Sequence, residues 1–232
     1  MLSIENLSAG YGLAPIIGDL SVRVGTGEIL AVLGRNGSGK STLAKSIIGI
    51  VPDVSGSIRI GTAEIVGLAA HRIARLGVAY VPQGRGIFPR LTVRENLMLG
   101  GRARRDGRAG IDELVFSYFP VLRSRLDQRG GTMSGGEQQM LAIARALCGQ
   151  PDVLLMDEPS DGIAPMIVDQ IGELLPALAR DMSLAIILVE QNIDLAMAAS
   201  RRCIVMDRGA IVHEGPPAEF GDPALLQKYL AI

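Results

Sequence analysis

The sequence predicts an α/β fold, in which a mixed or parallel sheet forms the core, antiparallel strands come first and a helical subdomain is inserted. Three observations lead to this prediction. Short apolar strands alternate with helix-like segments along most of the chain. A glycine-rich loop separates one such strand from the helix that follows it. Helical spacing then replaces the strand pattern from Thr92 to about Leu126.

The length and composition of the chain suit this architecture. Of its 232 residues, 48% are hydrophobic, which is typical of strands covered on both faces by helices. We predict a single domain over residues 1–232. Its core is expected to comprise residues 1–84 and 151–232, and the helical subdomain residues 85–150.

Residues 1–28 alternate apolar and polar side chains in short pieces, interrupted by glycine-rich turns. This pattern predicts antiparallel strands joined by tight turns. Tyr11 lies between two glycines in one of these turns. It is either a plain turn residue or a flat surface on which a base stacks.

The glycine-rich loop follows the apolar strand at residues 29–33 and matches the phosphate-loop pattern Gly-x-x-x-x-Gly-Lys-Ser. Small residues let successive backbone N–H groups converge on one anion, and the next helix adds the positive end of its dipole. Lys40 is expected to reach the β- and γ-phosphates of a nucleotide, and the Ser41 hydroxyl to hold Mg²⁺. The predicted nucleotide-binding residues of the loop are Gly34, Arg35, Asn36, Gly37, Ser38, Gly39, Lys40, Ser41 and Thr42.

Polar side chains follow two further strands. Gln83 comes after the strand at residues 78–81, and its neutral carbonyl oxygen can enter or leave a Mg²⁺ shell. The stretch at residues 153–159 predicts a buried strand that ends in two carboxylates, Asp157 and Glu158. Because adjacent strand residues point to opposite sides, these acids are expected to have different tasks. Asp157 suits the Mg²⁺ shell and Glu158 suits polarising the water that attacks the γ-phosphate; solvated acids at a strand end are the alternative.

A second glycine motif, Ser134-Gly135-Gly136-Glu137, opens a helix that runs to about Leu147. Ser134 with Glu137 three residues later is a capping box, so a plain helix start is one interpretation. Two glycines in the first turn lower helix stability, and their only expected benefit is that a ligand can closely approach the backbone N–H groups. This favours a second anion site. Since one nucleotide already has its phosphate loop, this site predicts contact with a second nucleotide.

The rest of the chain continues the alternation of helices and strands. We predict a helix at residues 167–180, a strand at residues 184–189 that ends in Glu190-Gln191-Asn192, and a two-stranded hairpin at residues 204–212. A last helix at residues 223–230 is expected to serve in packing only.

Composition excludes several classes of protein. A net charge of −1 excludes strong general attraction to nucleic acid or anionic lipid. The two cysteines, Cys148 and Cys203, are expected to be core thiols, and two histidines argue against a histidine-built metal centre. Without a membrane-length apolar run or a targeting pattern at the N-terminus, the chain is expected to be cytosolic. No asparagine is followed by lysine, which excludes the base-reading motif of guanine-nucleotide switches.

Arginines crowd into the middle of the chain. They form either a solvated face or a docking surface for a partner. They are Arg85, Arg90, Arg94, Arg102, Arg104, Arg105, Arg108, Arg123, Arg125 and Arg129.

Taken in order along the whole chain, these motifs resemble the ATP-binding cassette of ABC transporters, which is a P-loop NTPase. The Ser-Gly-Gly-Glu-Gln motif at residues 134–138, at this distance before Asp-Glu-Pro at residues 157–159, carries the resemblance most specifically.

Three further stretches narrow the resemblance. Residues 81–85, 132–143 and 189–192 look like the smaller ATPase subunit of branched-chain amino-acid importers. The ATPase subunits of urea and short-amide importers share much of this pattern, including residues 87–93. The cassette of lipopolysaccharide exporters is similar too, so the motifs do not identify the transported solute.

The resemblance implies that the protein binds and hydrolyses ATP together with Mg²⁺. It also implies that two cassettes sandwich two ATP molecules head to tail. The loop at Ser134 of one cassette then meets the γ-phosphate held by Lys40 of the other. Similar importers pair two different cassettes, so the physiological partner is expected to be a paralogue, with a homodimer in isolation.

Membrane partners are implied as well. The region after Gln83 and the arginine-rich helical part are expected to dock on cytoplasmic helices of permease subunits. The protein is therefore expected in the cytoplasm, peripheral on the inner face of the cell membrane. A periplasmic or extracellular solute-binding protein takes part indirectly, and nucleic acid is not an expected partner.

Three positions depart from the family pattern. Gln191 falls where most cassettes have a switch histidine that contacts the γ-phosphate, and the branched-chain importer branch resembles this chain in having glutamine. Asp161 replaces an apolar residue in the loop after Glu158, which is expected to bring a carboxylate near the partner's phosphate loop. Met133 replaces the usual leucine.

Overall fold

A computed structural model describes residues 1–12, 14–106, 110–111, 113–222 and 227 of the chain. The helix predicted at residues 223–230 lies outside the described residues, apart from residue 227.

Strands and helices alternate along the chain, with two short 3₁₀ helices at Gly130–Thr132 and Pro217–Gly221. The elements are β1 (Leu2–Gly10), β2 (Pro15–Val24), β3 (Ile29–Leu33), α1 (Lys40–Ile47), β4 (Asp53–Ile60), β5 (Ala63–Glu64), α2 (Ala70–Arg75), β6 (Val78–Val81), α3 (Val93–Gly101), α4 (Glu113–Tyr118), α5 (Pro120–Arg123), α6 (Gly135–Leu147), β7 (Val153–Asp157), α7 (Pro165–Asp181), β8 (Ala185–Glu190), α8 (Ile193–Ala199), β9 (Arg202–Asp207) and β10 (Ala210–Gly215).

The N-terminal strands form an antiparallel sheet in the order β2-β1-β4-β5. In β1, Leu2 lies opposite Val24 of β2 on one side and Ile60 of β4 on the other. All three side chains are buried, because alternate residues of these strands face a common apolar core. The predicted antiparallel start of the chain is therefore confirmed.

The second sheet has the order β10-β9-β3-β8-β7-β6, and its strands are parallel except for β10. Every residue of β3, β7 and β8 is buried, as expected for parallel strands covered on both faces. The carboxyl ends of parallel strands meet at one edge of a sheet. That edge therefore gathers the loops that begin at Gly34, Pro82, Glu158 and Gln191.

Helices α3 to α6 lie between β6 and β7 in the chain and pack onto the parallel sheet. One apolar cluster contains Leu97, Phe119 and Leu141 from this part together with Leu154 and Leu188 from the sheet. The helical part thus shares a core with the strands. Its division from the rest at residues 85 and 150 stays a prediction.

Five of the ten clustered arginines are paired with nearby acids. Ion pairs of 2.7–3.3 Å join Arg105 to Asp152, Arg125 to Glu137 and Arg94 to Asp127. Two more pairs involve Arg104 and Arg123. Arg108 lies outside the described residues. The two interpretations of the cluster, a solvated face or a docking surface, both stay predictions.

Two further features concern the chain as a whole. Cys148 and Cys203 are both buried, as predicted for core thiols. Among the described residues, no helix combines the length and apolar character needed to cross a membrane.

Candidate nucleotide-binding site

The glycine-rich loop connects β3 to α1, as its sequence pattern predicts. Gly34 has a φ of 151° and Gly39 a φ of 105°. A Cβ on Gly34 would lie 2.7 Å from Ser38 Oγ and would also collide with the Met206 carbonyl. Only glycine satisfies both the conformation and the space at this position. The loop is therefore tightly wrapped, with its backbone available to a ligand.

Lys40, the first residue of α1, folds its side chain back over the loop. Its Nζ donates to the carbonyls of Gly34 at 2.7 Å and Arg35 at 3.2 Å, and lies 3.8 Å from Glu158 Oε1. Burial lowers the pKa of Lys40, while the nearby carboxylates, Glu158 first, oppose that shift. A cation in this position can exchange two carbonyl oxygens for phosphate oxygens.

Ser41 and Asp157 meet beside the loop. Ser41 Oγ donates to Asp157 Oδ1 at 3.0 Å, and the Tyr80 hydroxyl donates to Asp157 Oδ2 at 3.1 Å. Asp157 is 2% exposed, and burial together with this acid raises the pKa of Tyr80. Hydroxyl and carboxylate oxygens are the donors that Mg²⁺ prefers, so these residues fit a magnesium ion next to phosphate.

Tyr80 was not identified from the sequence. The sequence feature that could have identified Tyr80 is its position inside a short apolar strand. A buried tyrosine hydroxyl there needs a hydrogen-bond partner. Ile16 is a second residue that sequence reasoning missed, since it lines the cavity over the phosphate loop from β2.

Glu158 corrects one sequence-based expectation. The prediction that the two acids point to opposite sides of the sheet was wrong, because β7 ends at Asp157 and strand alternation stops there. Glu158 has a φ of 48°, and its backbone N–H donates to the Val189 carbonyl at 2.8 Å. This left-handed turn brings both carboxylates toward the first turn of α1, where Asp157 contacts Ser41 and Glu158 approaches Lys40.

Two glutamine amides hold the Glu158 carboxylate. Gln83 Nε2 donates to Oε2 at 3.1 Å and Gln191 Nε2 donates to Oε1 at 2.6 Å. Gln83 also donates to Asp161 Oδ2 at 3.2 Å, so Asp161 faces its own chain in this structure. The site therefore joins the loops after β6, β7 and β8 around one acid.

A cavity of about 230 Å³ lies over the phosphate loop. Its lining residues are Ile16, Asn36, Gly37, Ser38, Gly39, Lys40, Ser41, Thr42, Gln83 and Glu158. The structure thus brings together most of the predicted loop with Gln83 and Glu158. Gln191 is not among the described residues that line the cavity, but it bonds to one of them, Glu158.

Tyr11 and the second glycine motif lie elsewhere. Tyr11 is 52% exposed and is not among the described residues that line the cavity, so its base-stacking role stays a prediction. Ser134 and Glu137 form the predicted capping box at the start of α6, with bonds of 2.9 Å and 3.4 Å. These residues do not line the cavity in the described part of the chain, and the second anion site also stays a prediction.

Close packing gives a further reason for the two glycines at the start of α6. A Cβ on Gly136 would lie 2.8 Å from Ile167, and one on Gly135 would lie 2.9 Å from the Arg85 guanidinium. The expectation that these glycines gain only access to N–H groups was therefore wrong. They also let α7 and the loop after β6 approach α6.

Arg85 links three parts of the site, and sequence reasoning placed it only in a general arginine cluster. Its guanidinium donates to Gln138 Oε1 and to the Gly162 carbonyl, both at 3.2 Å. These bonds join the loop after Gln83 to α6 and to the loop after Glu158.

Glu190 is a buried carboxylate that was named from the sequence without a role. It is 1% exposed and accepts bonds from Ser160 N, Ser160 Oγ and the N–H groups of Gln191 and Asn192, at 2.9–3.1 Å. Burial raises the pKa of Glu190, and these donors oppose the shift. An acid at the end of an apolar strand was the available signal. Glu190 ties the loop after β7 to the loop that carries Gln191.

Comparison with known proteins agrees with this geometry. The family model described as ABC transporter matches residues 17–161. The chain is 45% identical to the high-affinity branched-chain amino acid transport ATP-binding protein BraG of Pseudomonas aeruginosa, over 99% of each chain. It is 38% identical to the probable branched-chain amino acid transport ATP-binding protein LivF of Archaeoglobus fulgidus, covering 94% of this chain and 93% of that one.

Another relative has a different transport role. The chain is 35% identical to the lipopolysaccharide export system ATP-binding protein LptB of Escherichia coli K12, covering 94% of this chain and 91% of that one. Among solved structures, the ADP conformation of MJ1267, an ATP-binding cassette of an ABC transporter, matches with a TM-score of 0.85 and 24% identity. It covers 100% of this chain and 99% of that one, and supports the fold. This chain is therefore an ATP-hydrolysing cassette and belongs to the ABC transporter family.

Proposed function

We propose that this cassette hydrolyses Mg-ATP at the cavity over its phosphate loop and powers an importer of branched-chain amino acids. The observation that carries the chemistry is the position of Glu158. Its carboxylate is 3.8 Å from the Lys40 ammonium and is held by two amide N–H donors at the edge of the cavity. This combination of a cation and an oriented carboxylate suits attack of water on a phosphoryl group.

The loop and Lys40 bind the phosphates in this proposal. Residues 36–42 line the cavity, and Lys40 turns from the carbonyls of Gly34 and Arg35 to phosphate oxygens. The oxygens of Ser41, Gln83 and Asp157 would hold Mg²⁺, which would supply positive charge to offset that of the phosphates. Asp157 is held in orientation by its two hydroxyl donors.

Glu158 acts as the general base. Its two oxygens accept from Gln83 and Gln191, so the carboxylate is fixed in orientation before substrate arrives. It takes a proton from the water whose oxygen attacks the γ-phosphorus, while the bond from that phosphorus to the β,γ-bridging oxygen breaks and ADP leaves. Gln191 is then both a sensor of the γ-phosphate and a support for the base.

The second nucleotide contact is proposed to come from another cassette. Ser134 to Glu137 open α6 away from the cavity of their own chain, so they are available to a nucleotide held elsewhere. A head-to-tail pair of cassettes brings this helix start to the γ-phosphate on the partner's Lys40. We propose a paralogous cassette as the partner in the cell, and Tyr11 as the stacking surface for the adenine.

A groove beside the helical part is proposed to receive a cytoplasmic helix of the permease. Its volume is about 390 Å³, and it is lined mainly by small and apolar residues such as Ala79, Phe88 and Ala146. Phe88 is 49% exposed, and the Arg145 guanidinium lies 5.3 Å from its ring centroid. Fully buried Asn96 holds the Phe88 backbone with bonds of 2.9 Å and 3.0 Å. This preformed apolar surface suits a helix of the permease, which would keep the protein on the inner face of the membrane.

The solute assignment is supported by the relatives named for branched-chain amino acid transport, and the LptB relative makes export of lipopolysaccharide the second candidate. Purification from the native membrane with a tag on this chain separates the two. An importer permease with its solute-binding protein is expected among the co-purifying subunits. Recovery of a lipopolysaccharide-export permease instead would reject the import proposal.

Lys40→Ala tests the ATPase site directly. Removal of the ammonium is expected to abolish nucleotide binding or turnover, because Lys40 is the cation at the cavity floor. Binding is measured with a fluorescent ATP analogue and turnover by phosphate release. Lys45→Ala on the same helix is the control, and full activity of Lys40→Ala would contradict the assignment.

A further inference from the structure

Gln83 and Asp161 lie on loops that follow different strands, β6 and β7, and a hydrogen bond joins them. Gln83 Nε2 donates to Asp161 Oδ2 at 3.2 Å and to Glu158 Oε2 at 3.1 Å. The Asp161 backbone N–H donates to the Glu158 carbonyl at 3.1 Å, which anchors the turn that carries both acids. The amide nitrogen of Gln83 is therefore shared between two carboxylates.

This arrangement determines which way the Gln83 amide faces. A carboxamide has two N–H donors on nitrogen and an oxygen that only accepts, whereas an ionised carboxylate only accepts. If the amide were reversed, its oxygen would face two acceptors with no hydrogen between them. The two acids together therefore select the orientation in which both N–H groups are used and the carboxamide oxygen is directed away from the carboxylates.

Glu158 alone would fix this orientation less well. One carboxylate uses one N–H group and leaves the amide free to rotate about that single bond, whereas Asp161 engages the second N–H. Gln83 also lines the cavity over the phosphate loop together with Ser41. The carboxamide oxygen takes part in neither of these two bonds.

We propose that Asp161 is a positioning residue, which holds the Gln83 amide so that its carboxamide oxygen is the atom offered to the Mg²⁺ of bound ATP. This inference rests on the proposed Mg-ATP function. Gln83 and Asp161 are both exposed, so their bond contributes little to folding stability. The bond is expected to affect the orientation of the Gln83 amide instead.

The first test compares Asp161→Leu with Asp161→Asn. Binding of a fluorescent, non-hydrolysable ATP analogue is titrated at a series of Mg²⁺ concentrations. Asp161→Leu is expected to raise the Mg²⁺ concentration for half-maximal enhancement of binding by roughly threefold to tenfold, the effect of one exposed hydrogen bond to a charged group. Binding without Mg²⁺ is expected to stay unchanged. Asp161→Asn is expected to remain within about twofold of wild type, since its Oδ1 can accept the same bond.

Asp169→Leu is the matched control. Asp169 is an exposed acid on α7, and it is not among the groups bonded to Gln83 in the described part of the chain. The substitution makes the same change of charge and side chain, and the Mg²⁺ dependence is expected to match wild type. An equal shift in both leucine variants would overturn the proposal, because the effect would then come from net charge.

A double-mutant cycle decides whether Asp161 acts through Gln83. In a Gln83→Ala background, Asp161→Leu is expected to have no further effect on the Mg²⁺ dependence. The same additional loss in both backgrounds would overturn the proposal and assign Asp161 to another contact, such as the phosphate loop of a second cassette. Unchanged Mg²⁺ dependence in Asp161→Leu alone would overturn it too.

The side-chain amide of Gln83 gives a readout that does not depend on nucleotide. In wild type its two N–H protons are both bonded to carboxylates, so their NMR signals are expected to be shifted and to exchange slowly with water. Gln83→Ala identifies the pair by its loss. Asp161→Leu is expected to release one proton of the pair, with the thermal midpoint unchanged; an unaltered pair would reject the positioning role.

Wild-type nucleotide binding that does not depend on the Mg²⁺ concentration would instead reject the proposed magnesium site.

Discussion

The Ser41 hydroxyl donates a hydrogen bond to Asp157 Oδ1 at 3.0 Å, although 116 residues separate the two in the chain. Ser41 lies in the first turn of α1, Asp157 ends β7, and Tyr80 of β6 donates to the second carboxylate oxygen. Three elements thus orient one buried acid beside the phosphate loop. The hydroxyl that bonds this acid is also the atom proposed to hold Mg²⁺, so both groups belong to one oxygen-rich corner of the site.

Ser41→Ala is expected to raise the Mg²⁺ concentration needed for ATP binding and hydrolysis by roughly tenfold or more, because it removes one of the oxygens proposed to hold the ion. Turnover is measured by phosphate release over a range of Mg²⁺ concentrations. Ser46→Ala is the matched control, since Ser46 lies on the same helix and its hydroxyl bonds only the Thr42 carbonyl among the described groups. Equal losses in both variants would contradict the role of Ser41.

Glu158→Gln is expected to lower turnover by about 10² to 10⁴, the contribution of a general base. ATP binding is expected to persist, because the phosphate loop and Lys40 remain intact. The variant should therefore retain unhydrolysed ATP and favour the closed pair of cassettes. Light scattering with ATP measures the dimer, and turnover near the wild-type rate would assign the base to another residue.

Adding Ser134→Arg to Glu158→Gln is expected to abolish that ATP-dependent dimer, since a large cation at the start of α6 blocks the second anion site. The change also removes a helix cap, which costs about 1 kcal/mol. Thr92→Arg controls for this loss, because Thr92 caps α3 with the same kind of capping box. A dimer that is kept in the Ser134 variant would contradict the head-to-tail sandwich, and an equal loss in the Thr92 variant would assign the effect to the missing cap.

Gln191→Ala is expected to reduce hydrolysis substantially, because Glu158 loses the 2.6 Å amide bond and the γ-phosphate loses a sensor. Gln191→His is expected to keep activity and to add a pH dependence near neutrality, since imidazole titrates in that range and an amide does not. The pH profile of turnover with permease present compares the three proteins. Wild-type rates in Gln191→Ala would reduce Gln191 to a strand-end residue.

Glu190→Gln is expected to change how stability depends on pH. Burial raises the pKa of Glu190 in the folded chain above its ordinary value of 4.5. At a pH between 4.5 and the folded-state pKa, the folded chain therefore binds more protons than the unfolded chain. Its contribution to the free energy of unfolding is therefore fully present below 4.5 and is lost as the pH rises through the folded-state value. Glutamine does not titrate, so the variant is expected to lack this slope.

Urea unfolding of wild type and Glu190→Gln at a series of pH values measures the difference between the two slopes. At neutral pH the free energy of unfolding of the variant is also expected to fall by about 1–3 kcal/mol. The NH₂ group of the new glutamine would face a donor whose hydrogen bond Glu190 accepts in wild type. Identical slopes would contradict the pKa assignment for Glu190.

Several local elements and the family could be predicted from the amino-acid sequence alone. Strands Ile29–Leu33 and Val78–Val81 have the predicted bounds, and the capping box at Ser134 starts α6 as predicted. These features depend on apolar runs, glycines and a residue pair three positions apart, all of which are local patterns. The ABC transporter family was predicted from the order of the motifs, and the comparisons confirm it.

The arrangement of the site around Glu158 depends on long-range packing. A backbone bond to Val189 and a φ of 48° turn this acid toward Lys40, against the strand alternation read from the sequence. Gln83 and Gln191 reach its two oxygens from 75 and 33 residues away. Such pairings exist only because parallel strands bring their carboxyl ends to one edge of the sheet, and no local pattern encodes which side chains meet there.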